Sequence, residues 1–284
     1  MSPLPGTSRP AGGPGSGRGR PTSVSPGAAA PAGPGPFFAA GVHLPHEPPG
    51  PPWRSMAELA GTRPAALAER VAAVRAALAA GGGQPAEAVE PRVAASVAHL
   101  GLTARVVAPY LAHAATAGRL PAEGLRLADL FWQPRLGGPF PLSLPRPAPG
   151  PEGGNGPVSP EVLAAGLTVR LLGGPVRELV AATASLGVSP HILWGNTASA
   201  VHSAARLAAE GAHSPAGGGP QAAERARRLG TLLLQAPALA RVTRQDGPRG
   251  FRRRTCCLIY RAAPGRAGSL CGDCALDRVP ARPA

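Results

Sequence analysis

The chain has 284 residues, and glycine (39) and proline (37) together make up more than a quarter of them. Such a share marks long stretches that enter neither helices nor a packed sheet, so the folded part is smaller than the length suggests. All 29 basic residues are arginine, and with 15 acidic residues they give a net charge of +14. This balance ordinarily indicates a nucleic-acid or anionic-membrane partner. Because arginine, glycine, proline and alanine have GC-rich codons, composition alone does not establish such a partner.

The positive charge is concentrated near the C terminus. Residues 221–284 carry a net charge of +9, against +2 for residues 56–220 and +3 for residues 1–55. The same last quarter of the chain holds all four cysteines. A region with nearly equal positive and negative charge therefore precedes a cationic end that carries the cysteines. We predict that residues 246–284 form a separate C-terminal segment.

Residues 1–54 are rich in proline and glycine, with hardly any branched aliphatic side chains and no apolar periodicity. Such a segment cannot bury enough surface to offset the entropy of ordering it, so we expect a disordered tail. It also lacks an apolar run long enough for a secretory signal. We therefore expect a cytoplasmic protein, whose arginine-rich ends would permit transient contact with the inner face of the cell membrane.

The central region, residues 55–245, combines helical spacing of apolar residues with helix-boundary residues, which predicts a mainly α domain. Thr62 marks the start of a first helix and Gly81 its end. In the next helical region, Gly101 predicts a break and Thr103 a new N-cap. The predicted helices span 62–81, 92–117 as a broken pair, 160–172, 175–186, 190–210 and 221–235, and residues 119–146 form an irregular connection with a short strand at 140–144.

A charge-free stretch of 27 residues lies between Glu178 and Arg206. It is long enough to cross a bilayer, but Pro190, two glycines and several polar side chains interrupt it. We predict buried, alanine-rich helices there instead. His191 and His202 lie on one of these helices, eleven residues apart and too far from each other to share one ion, so we expect ordinary helix residues. Trp132, Trp194 and Asn196 are predicted to pack in the core.

The four cysteines supply the strongest signal in the chain. Cys256 and Cys257 are adjacent, Cys271 and Cys274 form a Cys-x-x-Cys pair, and all four lie within 19 residues. Scattered core cysteines would not cluster in this way, so shared metal ligands or a pair of disulfides is indicated. Cytosolic chains rarely keep structural disulfides, and metal ligation is therefore favoured.

The spacing of the cysteines favours a [2Fe–2S] cluster over zinc. Structural zinc sites usually separate paired ligands by about two to four residues, because the side chains of adjacent residues diverge. A two-iron cluster is wider and offers two metal atoms, so diverging neighbours reach it more easily. Zinc remains the alternative at this point.

Arginines surround the cysteines in the sequence. A cluster with four thiolates is a dianion when oxidised and a trianion when reduced, so nearby positive charge stabilises the reduced form more and raises the reduction potential. We predict that four of these residues tune the potential or contact an anionic substrate: Arg252, Arg253, Arg254 and Arg261.

The motif Arg-Arg-x-Cys-Cys-x-x-Tyr-Arg…Leu-Cys-Gly-Asp-Cys-x-Leu, from Arg253 to Leu276, resembles the C-terminal motif of the FhuF-like ferric iron reductases, which are siderophore-interacting, (2Fe–2S)-binding proteins. Leu193-Trp194-Gly195-Asn196 and the run from Asp129 to Pro134 extend the resemblance over roughly residues 60–276. The gap between the two cysteine pairs is longer here than in that family. The resemblance implies that a [2Fe–2S] cluster is bound by Cys256, Cys257, Cys271 and Cys274.

The same resemblance implies one-electron reduction of Fe(III) held by a siderophore. Reduction releases the metal because hard oxygen chelators bind Fe(III) far more tightly than Fe(II). No Gly-x-Gly-x-x-Gly fingerprint follows a predicted strand, so an external ferredoxin or flavin reductase would supply the electrons.

A second class of protein remains open from the residues alone: an arginine-rich, zinc-stabilised nucleic-acid-binding or regulatory protein. The chain lacks the lysines, interleaved aromatic residues and recognisable reading helix that this class would need, so we expect no nucleic-acid partner.

Overall fold

A computed structural model describes residues 35–61, 64–120, 122–146, 158–215, 217–246 and 250–280. Residues 1–34 of the predicted disordered tail and the predicted N-cap Thr62 lie outside these ranges. Within them the protein is mainly helical, with a small irregular segment that carries the cysteines. The predicted mainly α fold class is confirmed.

The described part contains seven α-helices and six short strands. The helices are α1 (Ala65–Gly81), α2 (Pro91–Ala117), α3 (Pro160–Leu167), α4 (Arg177–Ala184), α5 (Pro190–Gly211), α6 (Gly219–Leu234) and α7 (Pro237–Ala240), and a π-helical segment, Thr168–Val176, joins α3 to α4. The strands are β1 (Gly41–His43), β2 (Arg54–Ser55), β3 (Phe131–Trp132), β4 (Leu142–Pro145), β5 (Thr243–Gln245) and β6 (Phe251–Arg253).

The core is built around α2, which packs against α5, α1 and α6. Side chains on α2 that face these helices are fully buried, among them Leu102, Val106 and Leu111. Much of the packing is between alanines, and Gly230 of α6 lies so close to Ala205 of α5 that an added Cβ would not fit. Small residues thus allow close helix approach, and the broad apolar surface that they bury stabilises the body.

Local signals account for most helix boundaries. The hydroxyls of Ser159 and Ser189 accept hydrogen bonds from first-turn amides of α3 and α5, and a proline occupies the first turn of each helix. Helix α1 ends at Gly81, and Gly118 takes a left-handed conformation after α2. These boundaries agree with the predicted ones to within a residue or two.

The predicted break in α2 is wrong. Helix α2 continues through Gly101 and also contains Pro109. Thr103 does not cap a helix; it is fully buried, with its Oγ1 3.3 Å from Nε2 of His99. Side chains on both sides of Gly101 are buried against neighbouring elements, and this burial outweighs the local cost of glycine and proline.

The predicted disordered tail also extends too far, because residues 35–54 are ordered against the body. Strand β1 pairs in parallel with β4, with Val42 opposite Leu144, and Phe38 is buried. The partners of β1 lie about a hundred residues further along the chain, so local composition carries no signal for it.

Arg105 of α2 anchors this N-terminal segment. Its buried guanidinium donates hydrogen bonds to the carbonyl oxygens of Phe37, Ala39 and Phe140. Burial lowers the pKa of Arg105 to about 10, which leaves the side chain charged at neutral pH. One cation on α2 therefore fixes both the segment before β1 and the connection before β4.

Two small sheets complete the fold. The first has the strand order β1-β4-β3-β2, and its strand β4 corresponds to the predicted strand at 140–144. Trp132 of β3 is fully buried, as predicted, and packs edge-on against Phe140. The second sheet pairs β5 with β6, with Thr243 opposite Arg253, and brings the C-terminal segment against α5.

The region between Glu178 and Arg206 forms most of α4 and α5, which are buried in the body. In the described ranges, no helix combines the length and the hydropathy needed to span a bilayer. This agrees with the interpretation of the charge-free stretch as buried helices.

Candidate metal centre

The sulfur atoms of the four cysteines lie together as two pairs. The Sγ atoms of Cys257 and Cys271 are 3.6 Å apart, and those of Cys256 and Cys274 are 3.7 Å apart. All four residues are free cysteines, of which Cys257 and Cys274 are buried and the other two half-buried. The neighbours Cys256 and Cys257 therefore contribute to different pairs.

The chain turns sharply after Cys257. Leu258 takes a left-handed backbone conformation with φ of 70°, which is uncommon for a residue with a side chain. Its amide donates to Sγ of Cys256 at 3.3 Å, and the amide of Leu276 donates to Sγ of Cys274 at 3.5 Å. Backbone N–H groups thus point at the Cys256–Cys274 pair, where they stabilise negative charge.

The Cys257–Cys271 pair faces a buried arginine instead. Arg253 is 0% exposed, and its Nη2 donates to Sγ of Cys271 and lies 3.4 Å from Oδ1 of Asp273. Burial alone would lower the pKa of Arg253, but Asp273 and the two sulfurs outweigh it and raise that pKa. The guanidinium consequently remains charged beside this sulfur pair.

Two helices of the body hold Arg253 in place. Oδ1 of Asn196 in α5 accepts a hydrogen bond from Nη1 of Arg253 at 3.0 Å, and Nδ2 of Asn196 donates to both oxygens of Ser96 in α2. The hydroxyl of Ser96 in turn donates to the carbonyl oxygen of Cys257 at 2.9 Å. Arg253, Asn196 and Ser96 are all fully buried, so this network replaces hydration of groups that water cannot reach.

Helix α5 makes two further contacts with the cysteine segment. The hydroxyl of Ser199 donates a hydrogen bond to the carboxylate of Asp273. Thr255 approaches Gly195 so closely that an added Cβ would collide with its Oγ1. Asn196 is buried as predicted, but it is a hydrogen-bonding partner of the cysteine segment and not only a packing residue.

Arg252 forms hydrogen bonds and ion pairs with the residues from Cys274 onward. Its guanidinium donates to the carbonyl oxygens of Cys274 and Leu276 and pairs with Asp246 at 3.2 Å and Asp277 at 2.7 Å. The hydrogen bond that Arg252 donates to Asp277 is the main reason that the pKa of Arg252 is raised. This side chain is almost fully buried and holds the segment in position.

The two remaining predicted arginines lie further from the sulfur atoms. Arg254 is exposed, and its Nε donates to the carbonyl oxygen of Thr243 at 2.8 Å. Arg261 forms an ion pair with Glu90 at 2.5 Å, next to a second pair between Glu90 and Arg266. Of the four arginines, only Arg253 has a hydrogen bond to a sulfur atom within the described residues; a role for the others in potential or substrate contact stays a prediction.

The thiols shift one another's pKa. Hydrogen bonds from Cys256 and Cys271 lower the pKa of Cys257, and Arg253 adds to this effect. The pKa values of Cys256 and Cys271 are raised, first because each shares its proton with Cys257 and second because each is partly buried.

The donor set fits a cluster of two metal atoms. A tetrahedral metal about 2.3 Å from sulfur separates two of its thiolates by about 3.8 Å, which is close to the separation within each pair. Among the residues that the structure describes, no three or more Cys, His, Asp or Glu side chains converge on one ion. Soft thiolates bind zinc and the iron of iron–sulfur clusters alike, and the two pairs together provide the four thiolates that a [2Fe–2S] cluster needs.

The two histidines of α5 have different surroundings. His191 is exposed at the start of α5, and His202 stacks on Phe251 with a centroid separation of 4.4 Å. Sequence reasoning did not identify Ser96, Ser199 or Asp273 as neighbours of the cysteines. The motif from Cys271 to Cys274 was the available signal for Asp273. The motif that ends at Asn196 was the available signal for the contact between Asn196 and Ser96.

Comparison with known proteins gives one match. The family model for the FhuF 2Fe-2S C-terminal domain matches residues 253–276, the stretch that contains all four cysteines and Arg253. No curated protein and no solved structure matches the chain.

The sulfur pairs and this match together define an iron–sulfur protein, with a [2Fe–2S] cluster as its cofactor. More particularly, the C-terminal segment is of the FhuF type, which supports the FhuF-like family predicted from the sequence. That family is associated with ferric siderophore reduction.

Proposed function

We propose that this protein is a ferric-siderophore reductase whose [2Fe–2S] cluster is bound by Cys256, Cys257, Cys271 and Cys274. The observation that carries the proposal is the grouping of the four sulfurs into two close pairs within an FhuF-type segment. Cys257 and Cys271 would hold one iron, and Cys256 and Cys274 the other. Residues 246–284 then form the cluster-binding segment, and residues 55–245 the helical domain that supports it.

When bound, the cluster supplies one electron to Fe(III) in a siderophore, and the weaker binding of Fe(II) by oxygen ligands releases the metal. The chain's own residues set the conditions for this transfer. Arg253 places a positive charge against Cys271 and so favours the form that carries the extra electron. The amides of Leu258 and Leu276 donate to the sulfurs of the other pair, Cys256 and Cys274, and so also favour the reduced form.

Half-burial of Cys256 and Cys271 favours electron exchange at their side of the centre, because these two residues are the more exposed of the four cysteines. Cys257 and Cys274 are shielded by the body, which keeps water away from the inner edge. An external ferredoxin or flavin reductase would deliver the electron, in the cytoplasm or at the inner face of the membrane.

The alternative, a zinc-stabilised nucleic-acid-binding or regulatory protein, is weakened by the use of the C-terminal arginines. Arg252, Arg253 and Arg261 are engaged in contacts within the protein, so three of the cations that suggested an anionic partner are not presented to one.

The test is a reduction experiment on protein purified without oxygen. We expect iron and sulfide in equal amounts, a coloured oxidised form, and stoichiometric reoxidation of the reduced protein on addition of a ferric siderophore. An Fe(II)-specific chelator should then capture one Fe(II) per cluster. A colourless protein with stoichiometric zinc, or a reduced cluster that no ferric siderophore reoxidises, would contradict the proposal.

A further inference from the structure

Two polar side chains of α5, Asn196 and Ser199, contact the cysteine segment at an ion pair. Both are buried, and residues three apart lie on the same face of a helix. Oδ1 of Asn196 accepts a hydrogen bond from Nη1 of Arg253, and the hydroxyl of Ser199 donates to Oδ2 of Asp273. One face of α5 therefore binds both members of the Arg253–Asp273 pair, each through a different side chain.

The backbone holds Arg253 and Asp273 side by side, yet the ion pair between them is open. The amide of Arg253 donates to the carbonyl oxygen of Asp273 at 3.0 Å. Arginine–carboxylate pairs frequently form two parallel hydrogen bonds. Here Nη2 of Arg253 lies 3.4 Å from Oδ1 of Asp273, and Nε of Arg253 is buried without a hydrogen-bond partner among the described residues. A guanidinium edge that suits a carboxylate is thus not closed on one.

The open pair leaves Nη2 of Arg253 free to donate to Sγ of Cys271. Asp273 and Cys271 compete for this group, and a carboxylate oxygen is the stronger acceptor of the two. A closed pair with Asp273 needs both carboxylate oxygens, but Oδ2 is bound by Ser199. It also needs the guanidinium to turn, but Nη1 is bound by Asn196. Both contacts of α5 therefore favour the hydrogen bond to sulfur.

Helix α2 fixes the orientation of the Asn196 amide. Nδ2 of Asn196 donates to the carbonyl oxygen of Ser96 at 3.0 Å and to its hydroxyl at 3.1 Å. The amide oxygen is consequently the end that faces Arg253, where a cation needs an acceptor.

We propose that Asn196 and Ser199 are positioning residues that keep the Arg253–Asp273 pair open, so that Arg253 donates to Cys271 and stabilises the reduced centre. Each acts through the charged residue that it binds. This inference rests on the cluster-binding part of the proposed function and adds to it two residues of the helical body that set the reduction potential.

Redox titration of the full cluster-loaded chain tests the proposal. Asn196→Leu should lower the equilibrium constant for reduction about tenfold, or about 59 mV for one electron, because Arg253 turns from Cys271 toward Asp273. Ser199→Ala frees one oxygen of Asp273 and should lower the constant by about threefold. The matched control is Ser203→Ala, at an exposed serine one turn further along α5, which should leave the constant within about 1.5-fold of the parent.

A double-mutant cycle separates positioning from a direct effect of the Asn196 dipole on the cluster. In the Asp273→Asn background no carboxylate competes for Arg253, so Asn196→Leu should change the equilibrium constant by less than about twofold. The same small effect is expected in the Arg253→Gln background, where no guanidinium remains to be positioned. Visible absorption and iron content verify that each variant retains its cluster.

Three results would overturn the inference. The first is an unchanged or raised potential in both Asn196→Leu and Ser199→Ala. The second is an equal effect of Asn196→Leu with and without the carboxylate of Asp273. The third is loss of the cluster from both variants, which would make the two residues necessary for assembly and not for positioning.

The failure of this inference is distinct from the failure of the reductase function. If ferric siderophores reoxidise the parent but its potential does not respond to these substitutions, only the positioning role is wrong. If no ferric siderophore reoxidises the parent, the reductase function is wrong, whatever the potentials of the variants.

Discussion

The helical body and the cysteine segment are stabilised by different kinds of contact. In the body, helices α2, α5 and α6 bury alanine and leucine side chains against one another. In residues 250–280, buried arginines bind carbonyl oxygens, carboxylates and a sulfur atom. Apolar packing tolerates small changes of shape, whereas a buried polar network depends on every partner. The body therefore acts as the scaffold, and the segment is the part whose order depends on a few specific groups.

The largest expected effect comes from removing a cysteine. Cys257→Ser should abolish visible iron–sulfur absorption, because a hydroxyl is a poor substitute for the thiolate that Cys257 contributes to the Cys257–Cys271 pair. Since the body has its own apolar core, the far-ultraviolet helical signal should survive. Absorption and circular dichroism spectra of the same sample test both points, and simultaneous loss of both signals would show that the body needs the cluster to fold.

The next effect concerns Arg253 and the reduction potential. Arg253→Gln removes a charge in contact with Cys271, which should lower the potential by on the order of 100 mV, because the reduced form loses more stabilisation than the oxidised form. Arg253→Lys keeps the charge and should shift the potential less. Arg254→Gln is the control, since its side chain is exposed and bonds to a backbone oxygen. Redox titration measures all three, and equal shifts for Arg253→Gln and Arg254→Gln would contradict the assignment.

Two glycine-to-alanine substitutions compare the contact between α5 and the cysteine segment with an open position on α2. Gly195→Ala forces a Cβ against Thr255 and should cost about 1–3 kcal/mol of unfolding free energy. The double variant Gly195→Ala, Thr255→Ala should recover part of that loss. Gly101→Ala, in open space on α2, should instead add about 0.5–1 kcal/mol. Denaturant unfolding provides the values, and the same sign for both single variants would be inconsistent with the structure.

The smallest expected effect concerns Glu90, which links α2 to the cysteine segment through Arg261 and Arg266. Burial opposes ionisation of Glu90, but Arg92 and Arg261 prevail and lower its pKa from 4.5. A lowered folded-state pKa gives stability that is present above about pH 4.5 and is lost as the pH falls through the folded-state value. Glu90→Gln should cost about 1 kcal/mol at pH 7.

Unfolding measurements on Glu90→Gln at pH 7 and at pH 4 test this linkage, because the difference from the parent should shrink at the lower pH. Glu87→Gln is the control, an exposed carboxylate in the same connection. A difference that stays constant over this pH range would exclude ionisation of Glu90 as its cause.

The two regions also differ in how far their structure could be predicted from the sequence. Helix boundaries in the body follow capping residues: the predicted starts at 160 and 190 agree with the structure, where Ser159 and Ser189 cap the two helices. The continuity of α2 through Gly101 could not be predicted locally, because packing on both sides of that glycine decides it. The strands β1, β2 and β3 are two or three residues long, too short to show an alternating pattern.

For the candidate site, the clustering of the cysteines was sufficient to predict the metal-binding residues, whose roles remain a proposal. Their surroundings could not be predicted, because Ser96 meets Cys257 across 161 positions and Asn196 meets Arg253 across 57. Serine and asparagine in alanine-rich helices have no sequence pattern that distinguishes a network from ordinary polar residues. Only the resemblance of the phrase around Asn196 to a known family indicated its importance.

The adjacency of Cys256 and Cys257 has a kinetic consequence. A single peptide unit connects the two sulfur pairs, with its Cα atoms held about 3.8 Å apart by covalent geometry. The two halves of the centre are therefore joined by a single planar peptide unit, and Ser96 holds the next carbonyl group along the chain, that of Cys257, against the central helix. Such a frame would limit how far Cys256 and Cys257 move relative to each other when the charge of a bound cluster changes. A low reorganisation energy, and hence rapid electron self-exchange, is the expected result.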